Sequence, residues 1–240
     1  MIILGVDFGG SFIKSGLLLG NQNDNIPTPT PSTPENVFRA IKPLVDKYNV
    51  DHVGFAIPCV VKNGRAKTST NVDYSWQTTD LVGLSKEILG VDCLFLNDAD
   101  AALLAELNNQ THQFDGLTIM LTFGTGIGAA MSYNGTLIPN MEFGRMPLYG
   151  GIDSAEHIAS GRIKTVENLS WEHYAERLNL VLYQVNDLFQ PDNIIIGGGI
   201  TDNWYHFDRL LKSAAPIRKA ELDNNAGWLG AAVYANGFFK

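Results

Sequence analysis

Asn97 and Asp98 are the residues whose position most strongly suggests chemistry, because they place a carboxylate at the junction of two predicted elements. The preceding run VDCLFL is typical of a buried strand, and the following ADAALLAE is typical of a helix. A carboxylate at such a junction could act as a general base on a substrate hydroxyl. Asn and Asp are also common helix caps, so the two residues taken alone support capping equally well.

A second candidate site is the glycine turn in DFGGSFIK, which begins at Asp7 and ends at Lys14. MIILGVDF and SFIKSGLLLG predict two strands, joined as a hairpin by Gly9 and Gly10, which tolerate positive φ. The N–H groups of the turn and the Ser11 hydroxyl could bind a phosphate, and Asp7 could hold hydrated Mg²⁺. Taken alone, the stretch is more typical of an ordinary hairpin with Lys14 in solvent.

Two further glycine-rich stretches lie in the second half of the chain. LTFGTGIG contains Gly124, Thr125 and Gly126 between two predicted strands, so it is either a β-turn or a second backbone cradle for phosphate. IIIGGGI ends a predicted strand, and its Gly198 and Gly199 have the same two interpretations. Neither DFGGSFIK nor LTFGTGIG ends in the Gly-Lys-Ser/Thr of the P-loop pattern.

The remaining charged candidates are compatible with ordinary surface roles. Glu142 and Glu156 could be solvated carboxylates, and Arg145 could pair with one of them. Basic residues could form a track for polyphosphate, although solvated loop charge is the slightly favoured interpretation. The residues of this possible track are Lys62, Arg65, Lys67, Arg162 and Lys164.

Composition limits the class of protein. The chain has 240 residues, 45% of them hydrophobic, which is enough for one large or two small α/β domains. The formal net charge of -8 argues against nucleic-acid binding, and the 2 Cys are too few for a disulfide framework or a Cys-based zinc cluster. No leader or membrane-spanning pattern is present, so we expect a cytoplasmic protein that does not bind membranes.

Each half of the chain is predicted to begin with a glycine-turn hairpin. We place the domain boundary near residue 105, giving domains 1–105 and 106–240. The final helix, AGWLGAAVYA, could pack back on the first domain. A helix is expected from Pro34 to Val45, kinked or shortened by Pro43. The strongest helix prediction runs from Ser170 to Phe189, and WYHFDRLLKSA is expected to form another.

Taken together, these motifs resemble the ROK family of sugar kinases and repressors over nearly the whole chain. The polyphosphate glucokinase branch is the most similar one. The segments that carry this likeness are TSTNVDYSWQTTDL, LNDADAALLAE, LTFGTGIGAA, NGTLIPNMEFG, LSWEHYAERLN, IIIGGGI and LDNNAGWLGAA. The resemblance implies an α/β, actin-like (ribonuclease-H-like) fold of two domains, with the sugar and the phosphoryl donor meeting in an interdomain cleft.

The resemblance also implies roles for individual residues. Asp98 would be the catalytic base, and Asp7 would hold Mg²⁺ through water. The implied phosphate- and nucleotide-binding residues are Asp7, Gly9, Gly10, Ser11, Lys14, Gly124, Thr125, Gly126, Gly198 and Gly199. The implied sugar-binding residues are Asn71, Asn97, Asp98, Glu142, Arg145 and Glu156.

Three positions depart from the family pattern. Arg145 stands where the family's Glu-x-Gly-His motif has a sugar-contacting His, and a guanidinium only donates hydrogen bonds. Cys59 replaces the usual Gly in IPCVV, and Ser11 replaces a Thr while keeping its hydroxyl. The zinc-binding Cys cluster of many family members is absent, as it is from the polyphosphate branch, so we expect no zinc.

The expected function is phosphoryl transfer from ATP or polyphosphate to the 6-hydroxyl of glucose or a related hexose, by a homodimer. Two alternatives are open. One is an ATP-dependent kinase of an N-acylhexosamine or another hexose, which would differ at Arg145 and Cys59. The other is a non-catalytic sugar-binding member of the family. A repressor is disfavoured because DFGG begins at Asp7, which leaves no space for a DNA-binding segment ahead of it.

Overall fold

The computed structural model describes residues 1–20, 22–69, 72–109, 114–148, 151 and 153–239. Asn71, one of the expected sugar-binding residues, lies outside the described residues. The chain divides into two compact units. The first comprises Met1–Asn109 and Asn224–Lys240, and the second comprises Gln110–Asp223. In the part of the chain that is described, no helix is both long and apolar enough to cross a membrane.

Both units contain strands and α-helices. The strands are β1 (Ile3–Phe8), β2 (Phe12–Leu17), β3 (Asn23–Pro27), β4 (His52–Ile57), β5 (Val61–Lys62), β6 (Arg65–Ala66), β7 (Asp92–Asn97), β8 (Leu117–Phe123), β9 (Ile127–Tyr133), β10 (Thr136–Met141), β11 (Asn193–Gly197) and β12 (Ile217–Lys219). The α-helices are α1 (Pro34–Tyr48), α2 (Ser75–Thr78), α3 (Leu81–Leu89), α4 (Asp98–Asn108), α5 (Ala155–Ala159), α6 (Gly161–Val166), α7 (Trp171–Phe189) and α8 (Ala226–Phe238). Short 3-10 turns cover Phe143–Arg145, Gly199–His206, Asp208–Leu210 and Asp223–Asn225.

The first unit is built on a five-stranded sheet of order β3-β2-β1-β4-β7. β1, β2 and β3 form antiparallel hairpins, whereas β4 and β7 run parallel to β1. Apolar residues of α1 pack on this sheet, with Phe38 against Phe55 and Phe95 at ring-centroid distances of 5.4 and 5.9 Å. Because β1 and β7 point the same way, their carboxyl ends bring Asp7 and Asn97 to the same edge of the sheet.

Helix α8 lies against β1, β4 and α4 of the first unit, although it is the last element of the chain. Its approach requires glycine in the strands. A Cβ added to Gly5 would lie 1.8 Å from the Trp228 carbonyl oxygen, and one on Gly54 would lie 2.0 Å from that of Ala231. Any side chain at these two positions would therefore push the helix off the sheet.

The second unit contains another five-stranded sheet, of order β10-β9-β8-β11-β12. β8, β9 and β10 are antiparallel, and β11 and β12 run parallel to β8. Helix α7 packs its apolar face into the core of this unit and is capped by Ser170, whose Oγ accepts a hydrogen bond from the His173 N–H at 3.2 Å. The β9–β10 turn has positive φ at Asn134 (48°) and Gly135 (74°), as expected for Asn-Gly.

Several sequence predictions are confirmed, including both hairpins, the strand-to-helix junction at Asn97 and the helix that ends at Phe189. The prediction that Pro43 shortens α1 is wrong, because the helix continues to Tyr48. Pro43 lies on the exposed side of the helix. Proline has no N–H to bond the carbonyl four residues before it, and water can bond that carbonyl instead. The helix expected in WYHFDRLLKSA is absent, and short 3-10 turns broken at Phe207 (φ -138°) replace it.

The compact units differ from the division expected at residue 105. The first unit continues through α4 to Asn109 and also takes in Asn224–Lys240. α8 therefore belongs to the core of the first unit rather than to a domain 106–240. The reason is burial: the alanine-rich face of α8, including Ala231 and Ala232, is fully covered by the strands of the first sheet and by α4.

Candidate functional site

The turn between β1 and β2 is held by its own backbone and by Thr28. The Gly9 N–H donates to the Phe12 carbonyl at 3.1 Å, and the Thr28 hydroxyl donates to the Gly9 carbonyl at 2.7 Å. Contrary to the sequence argument, neither Gly9 nor Gly10 has positive φ. Gly9 is needed because a Cβ would lie 2.7 Å from the Phe12 carbonyl oxygen, whereas Gly10 faces open space and is exposed next to exposed Ser11.

Asp7 is a half-buried carboxylate at the end of β1. Burial raises its pKa to about 6, and the positive charge of Lys14 opposes that rise. Lys14 is the cross-strand partner of Asp7, and its Nζ donates to Asn224 Oδ1 at 2.7 Å. Gly227 of α8 lies so near that a Cβ there would be 2.6 Å from Asp7 Cγ. The end of β1, the hairpin and the start of α8 therefore enclose this carboxylate.

Asn97 is the residue that caps helix α4. Asn97 Oδ1 accepts from the N–H groups of Ala99 at 2.9 Å and Asp100 at 3.3 Å, so Asn97 caps α4. Asn97 Nδ2 donates to the Cys59 carbonyl at 3.3 Å, which fixes the amide. Asn97 therefore accepts from two N–H groups at the start of α4, and it shares the Ala99 N–H with the Asp98 carboxylate.

Asp98 is half-buried and carries a perturbed carboxyl group. Its burial raises the pKa to about 7, and the charge of Asp7 raises it further, while a hydrogen bond from the Ala99 N–H at 2.9 Å opposes the rise. The two carboxylates of this edge therefore influence one another. A carboxylate that titrates near neutral pH is suited to take a proton from a hydroxyl.

Cys59 is buried in the core of the first unit. Its contribution to the site is the backbone carbonyl that accepts from Asn97. The departure from the family glycine therefore adds a side chain to the core, and the position still orients Asn97 through its main chain.

In the second unit, the residues Gly124, Thr125 and Gly126 turn the chain from β8 to β9, and the Gly124 N–H donates to the Gly126 carbonyl at 3.0 Å. The two glycines are not equivalent. A Cβ on Gly124 would meet nothing within 4 Å, whereas one on Gly126 would lie 2.3 Å from Glu156 Oε2. That carboxylate oxygen accepts from the Ile127 N–H at 3.1 Å. Glu156 therefore supports the turn, and Gly124 is the glycine that leaves space for a ligand.

A cavity of about 520 Å³ opens beside this turn in the second unit. Gly198, with φ 83°, brings the Gly199 turn close to β8, since a Cβ there would lie 2.6 Å from the Phe123 carbonyl oxygen. The described residues that line the cavity include no aspartate or glutamate. They are Phe123, Gly124, Thr125, Gly161, Arg162, Lys164, Thr165, Val166, Trp171, Gly199, Ile200 and Asn203. The cavity is therefore suited to an anionic ligand.

Arg145 forms an ion pair with Glu142, its Nε lying 2.9 Å from Glu142 Oε2, in the 3-10 turn after β10. Both side chains are exposed to solvent, the arginine at 59% and the glutamate at 38%. Neither residue lines the cavity of the second unit. The pairing anticipated from the sequence is present, and it gives the guanidinium a carboxylate partner.

The possible basic track is divided between the units. Lys62, Arg65 and Lys67 are exposed on or beside the β5–β6 hairpin of the first unit. Arg162 and Lys164 belong to α6 and line the cavity of the second unit. Thr28 and Trp171 were not identified as site residues from the sequence. Thr28 lies in a loop, and Trp171 lies in the segment LSWEHYAERLN.

Comparison with known proteins places these features in a class. This chain has two sheets, each of which begins with a hairpin, and it has the actin-like ATPase fold that its structural neighbours share. The neighbours include the polyphosphate/ATP-glucomannokinase from Arthrobacter sp. strain KM, with a TM-score of 0.88, 34% identity and 97% coverage of both chains. A ROK family glucokinase from Streptomyces griseus aligns with a TM-score of 0.80 at 22% identity, covering 99% of this chain and 100% of that one.

Sequence relatives lead to the family. Residues 3–146 match the ROK family model. The polyphosphate glucokinase of Mycobacterium tuberculosis (strain ATCC 25618 / H37Rv) is 38% identical over 241 residues, which cover 95% of this chain and 89% of the relative. A glucokinase of Streptomyces coelicolor is 25% identical, with coverages of 97% and 76%. The chain belongs to the ROK family.

Proposed function

We propose that this protein is a sugar kinase that transfers a phosphoryl group from polyphosphate or ATP to the 6-hydroxyl of glucose or a related hexose. Its similarity to polyphosphate glucokinases at 38% identity, and to a polyphosphate/ATP-glucomannokinase, supports this activity. The single observation that carries the proposal is Asp98, a carboxylate with its pKa raised to about 7 at the start of a helix that Asn97 already caps.

Asp98 acts as the general base in this proposal. It accepts the proton of the sugar hydroxyl as that oxygen attacks the terminal phosphorus of the donor, and the bond from phosphorus to the leaving oxygen breaks. The pKa of about 7 allows much of the carboxyl group to be ionised at neutral pH while keeping it a stronger base than an ordinary aspartate.

Donor binding is assigned to both glycine turns and to the cavity of the second unit. Gly10 and Gly124 leave space into which a phosphate can approach the backbone, and Ser11 adds a hydroxyl. The cavity adds Arg162 and Lys164 to the donor side. Gly9 and Gly126 support the shape of the turns, and Lys14 balances the charge of Asp7.

Magnesium fits the residues around Asp7. The negative charges of Asp7 and Asp98 repel one another, which raises the pKa of Asp98. A cation bound at Asp7 would relieve this repulsion. Mg²⁺ is usually bound through one or two carboxylates, waters and the substrate phosphates, and Asp7 supplies such a ligand. When bound, the ion would neutralise charge on the donor phosphates.

Sugar binding is assigned to Asn97, Asp98, Glu142, Arg145 and Glu156, together with Asn71 on the basis of family resemblance alone. The Glu142–Arg145 ion pair presents N–H donors to a sugar hydroxyl where a neutral histidine could also accept. Glu156 keeps a second carboxylate oxygen beyond the one that bonds the Ile127 N–H. Sugar selectivity is therefore the part of the function that Arg145 tests most directly.

The proposal is tested by measuring hexose 6-phosphate formation with glucose, mannose and N-acetylhexosamines, each with ATP and with polyphosphate, in the presence of Mg²⁺. We expect glucose to be phosphorylated, with polyphosphate as an accepted donor. If only an N-acetylhexosamine is phosphorylated, the substrate is that sugar rather than glucose. Tight sugar binding without product from any pair would overturn the kinase assignment in favour of a sugar-binding protein.

Two expectations about the protein's context accompany this function. We propose a homodimer in the cytoplasm that contains no zinc and binds neither nucleic acid nor membranes, in line with the acidic charge and the scarcity of cysteine. Light scattering coupled to size exclusion would measure the mass against the 26.2 kDa of one chain. Elemental analysis of the purified protein would test for zinc.

A further inference from the structure

We infer that Lys164 selects the phosphoryl donor, because its ammonium group on the indole of Trp171 makes the cavity of the second unit favour a phosphate chain over a nucleoside. This inference rests on the proposed kinase function and adds the chemistry by which one donor class is preferred.

The position of Lys164 is fixed by two contacts. Its Nζ lies 3.9 Å from the centroid of the Trp171 ring and donates a hydrogen bond to the Leu169 carbonyl at 3.1 Å. The backbone closes the same loop, since the Leu169 N–H donates to the Lys164 carbonyl at 3.0 Å. The lysine is half-buried, so the ammonium group is held over the ring rather than free in solvent.

Trp171 is also held in place. Its ring is nearly parallel to those of His206 and Phe207, at centroid distances of 5.3 and 5.6 Å and interplanar angles of 6° and 15°. The indole therefore cannot turn readily to expose a different face. It lines the cavity together with Lys164, which makes the pair a fixed part of the cavity wall.

This pair disfavours the stacking that a purine would use. Stacked aromatic rings have centroids about 4.5–7 Å apart, and the Lys164 ammonium at 3.9 Å occupies that space on one face of Trp171. A purine on that face would have to displace the ammonium group, breaking the cation–π contact and the hydrogen bond to Leu169. A neutral base offers the displaced ammonium group no negative charge, whereas a phosphate group does.

The charge of the cavity wall favours a phosphate chain. Arg162 and Lys164 are cationic, and the described lining residues include no carboxylate to neutralise them. Each phosphate of a polyphosphate chain carries negative charge, so a chain can meet both cations along its length. ATP carries such charge only on its triphosphate, because the nucleoside at its other end is neutral.

The test is Lys164→Met, which keeps a flexible apolar stem near Trp171 and removes the charge. We expect kcat/KM for polyphosphate to fall by about 10-fold or more, mainly through KM, since one charge-assisted hydrogen bond has that weight. The value for ATP should stay the same or rise. Lys164→Arg should retain polyphosphate use, and Lys212→Met, at an exposed lysine of the second unit outside the cavity, should leave both donors unchanged.

Binding measured by calorimetry separates this inference from the kinase assignment. Wild type and Lys164→Met are titrated with polyphosphate and with a non-hydrolysable ATP analogue, with no sugar present. Selective loss of polyphosphate affinity supports the inference even if wild type forms no hexose 6-phosphate. An equal loss for both ligands, or no change for either, overturns it, with circular dichroism confirming that the variant is folded.

Discussion

The two sheets have the same strand order and direction but carry different side chains at their ends. In each unit an antiparallel hairpin pair precedes two parallel strands, as β3-β2-β1-β4-β7 and as β10-β9-β8-β11-β12. β1 ends in Asp7 and Phe8, whereas β8 ends in Thr122 and Phe123. The carboxylate before the glycine turn is therefore present in the first unit and replaced by a hydroxyl in the second.

The outer parallel strands differ in the same way. β7 leads into Asp98 and a full helix, while β12 ends at Lys219, which pairs with Asp223 at 3.4 Å. The first unit thus concentrates carboxylates with raised pKa, and the second offers glycine turns and a cavity with cations. A shared fold determines where side chains can meet, and the residue types at strand ends decide the chemistry.

The largest expected effect is that of Asp98→Asn, which would remove the base from the first unit. We expect kcat to fall by on the order of 10²–10⁴ while α4 stays capped by Asn97. Asp208→Asn, which neutralises a partly exposed carboxylate of the second unit, serves as the control and should be near wild type. An Asp98→Asn enzyme within about threefold of wild type would contradict the division of roles between the units.

The pH dependence should follow the same carboxylate. Because the pKa of Asp98 is raised to about 7, the base is protonated at lower pH, and kcat/KM should fall about tenfold per pH unit below 7 and level off above. A pH profile flat from 5.5 to 8, measured with saturating Mg²⁺, would sink this assignment.

The stability of the folded protein should fall with rising pH, whereas kcat/KM should rise. The pKa of Asp98 is above its ordinary value of 3.8, so its contribution to folding is full below about pH 4 and is lost as the pH rises through about 7. At pH 8 the free energy of unfolding of Asp98→Asn should therefore be larger than that of wild type, by on the order of 1 kcal/mol. Urea unfolding at pH 8 measures it, and a less stable variant would disagree with the direction of the pKa.

The two glycines of the second turn should respond differently. Gly124→Val should leave Tm nearly unchanged but raise KM for the donor by about 10-fold, because its side chain would extend into open space. Gly126→Ala should lower the free energy of unfolding by about 1–3 kcal/mol, because its Cβ would displace Glu156. Equal effects of the two substitutions on donor KM and on Tm would show that Glu156 does not distinguish them.

The smallest effect is expected at Arg145. Arg145→His breaks an exposed ion pair with Glu142, so stability should change by less than about 1 kcal/mol. We expect the ratio of kcat/KM between glucose and mannose to shift toward glucose by a few-fold, on the order of 1 kcal/mol. An unchanged ratio in an enzyme that already uses glucose well would place Arg145 outside sugar recognition.

Local patterns predicted much of this molecule. The glycine-turn hairpins, the Asn134-Gly135 turn and the cap at Ser170 depend on neighbouring residues, and all are present. The junction at Asn97 and Asp98 is likewise a local signal, and the structure places both residues as expected there.

Contacts between distant residues were not predictable. Gly124 and Gly126 have the same interpretation in the sequence, yet Gly126 is constrained by Glu156, which lies 29 residues from Ile127. Thr28 secures the Gly9 turn from 19 residues away, which no periodicity indicates. The pKa of Asp98 depends on burial and on Asp7, and both arise only when β1 and β7 join one sheet.

The return of α8 to the first unit has a consequence for protein synthesis. A ribosome releases the segment Met1–Asn109 long before α8, with the whole of Gln110–Asp223 made in between. Until residue 238 has emerged, the strands bearing Gly5 and Gly54 lack the helix that covers one of their faces, and Asp7 lacks its neighbour Gly227. The nascent chain therefore shows an apolar sheet face to chaperones, and the second unit can fold before the first is complete.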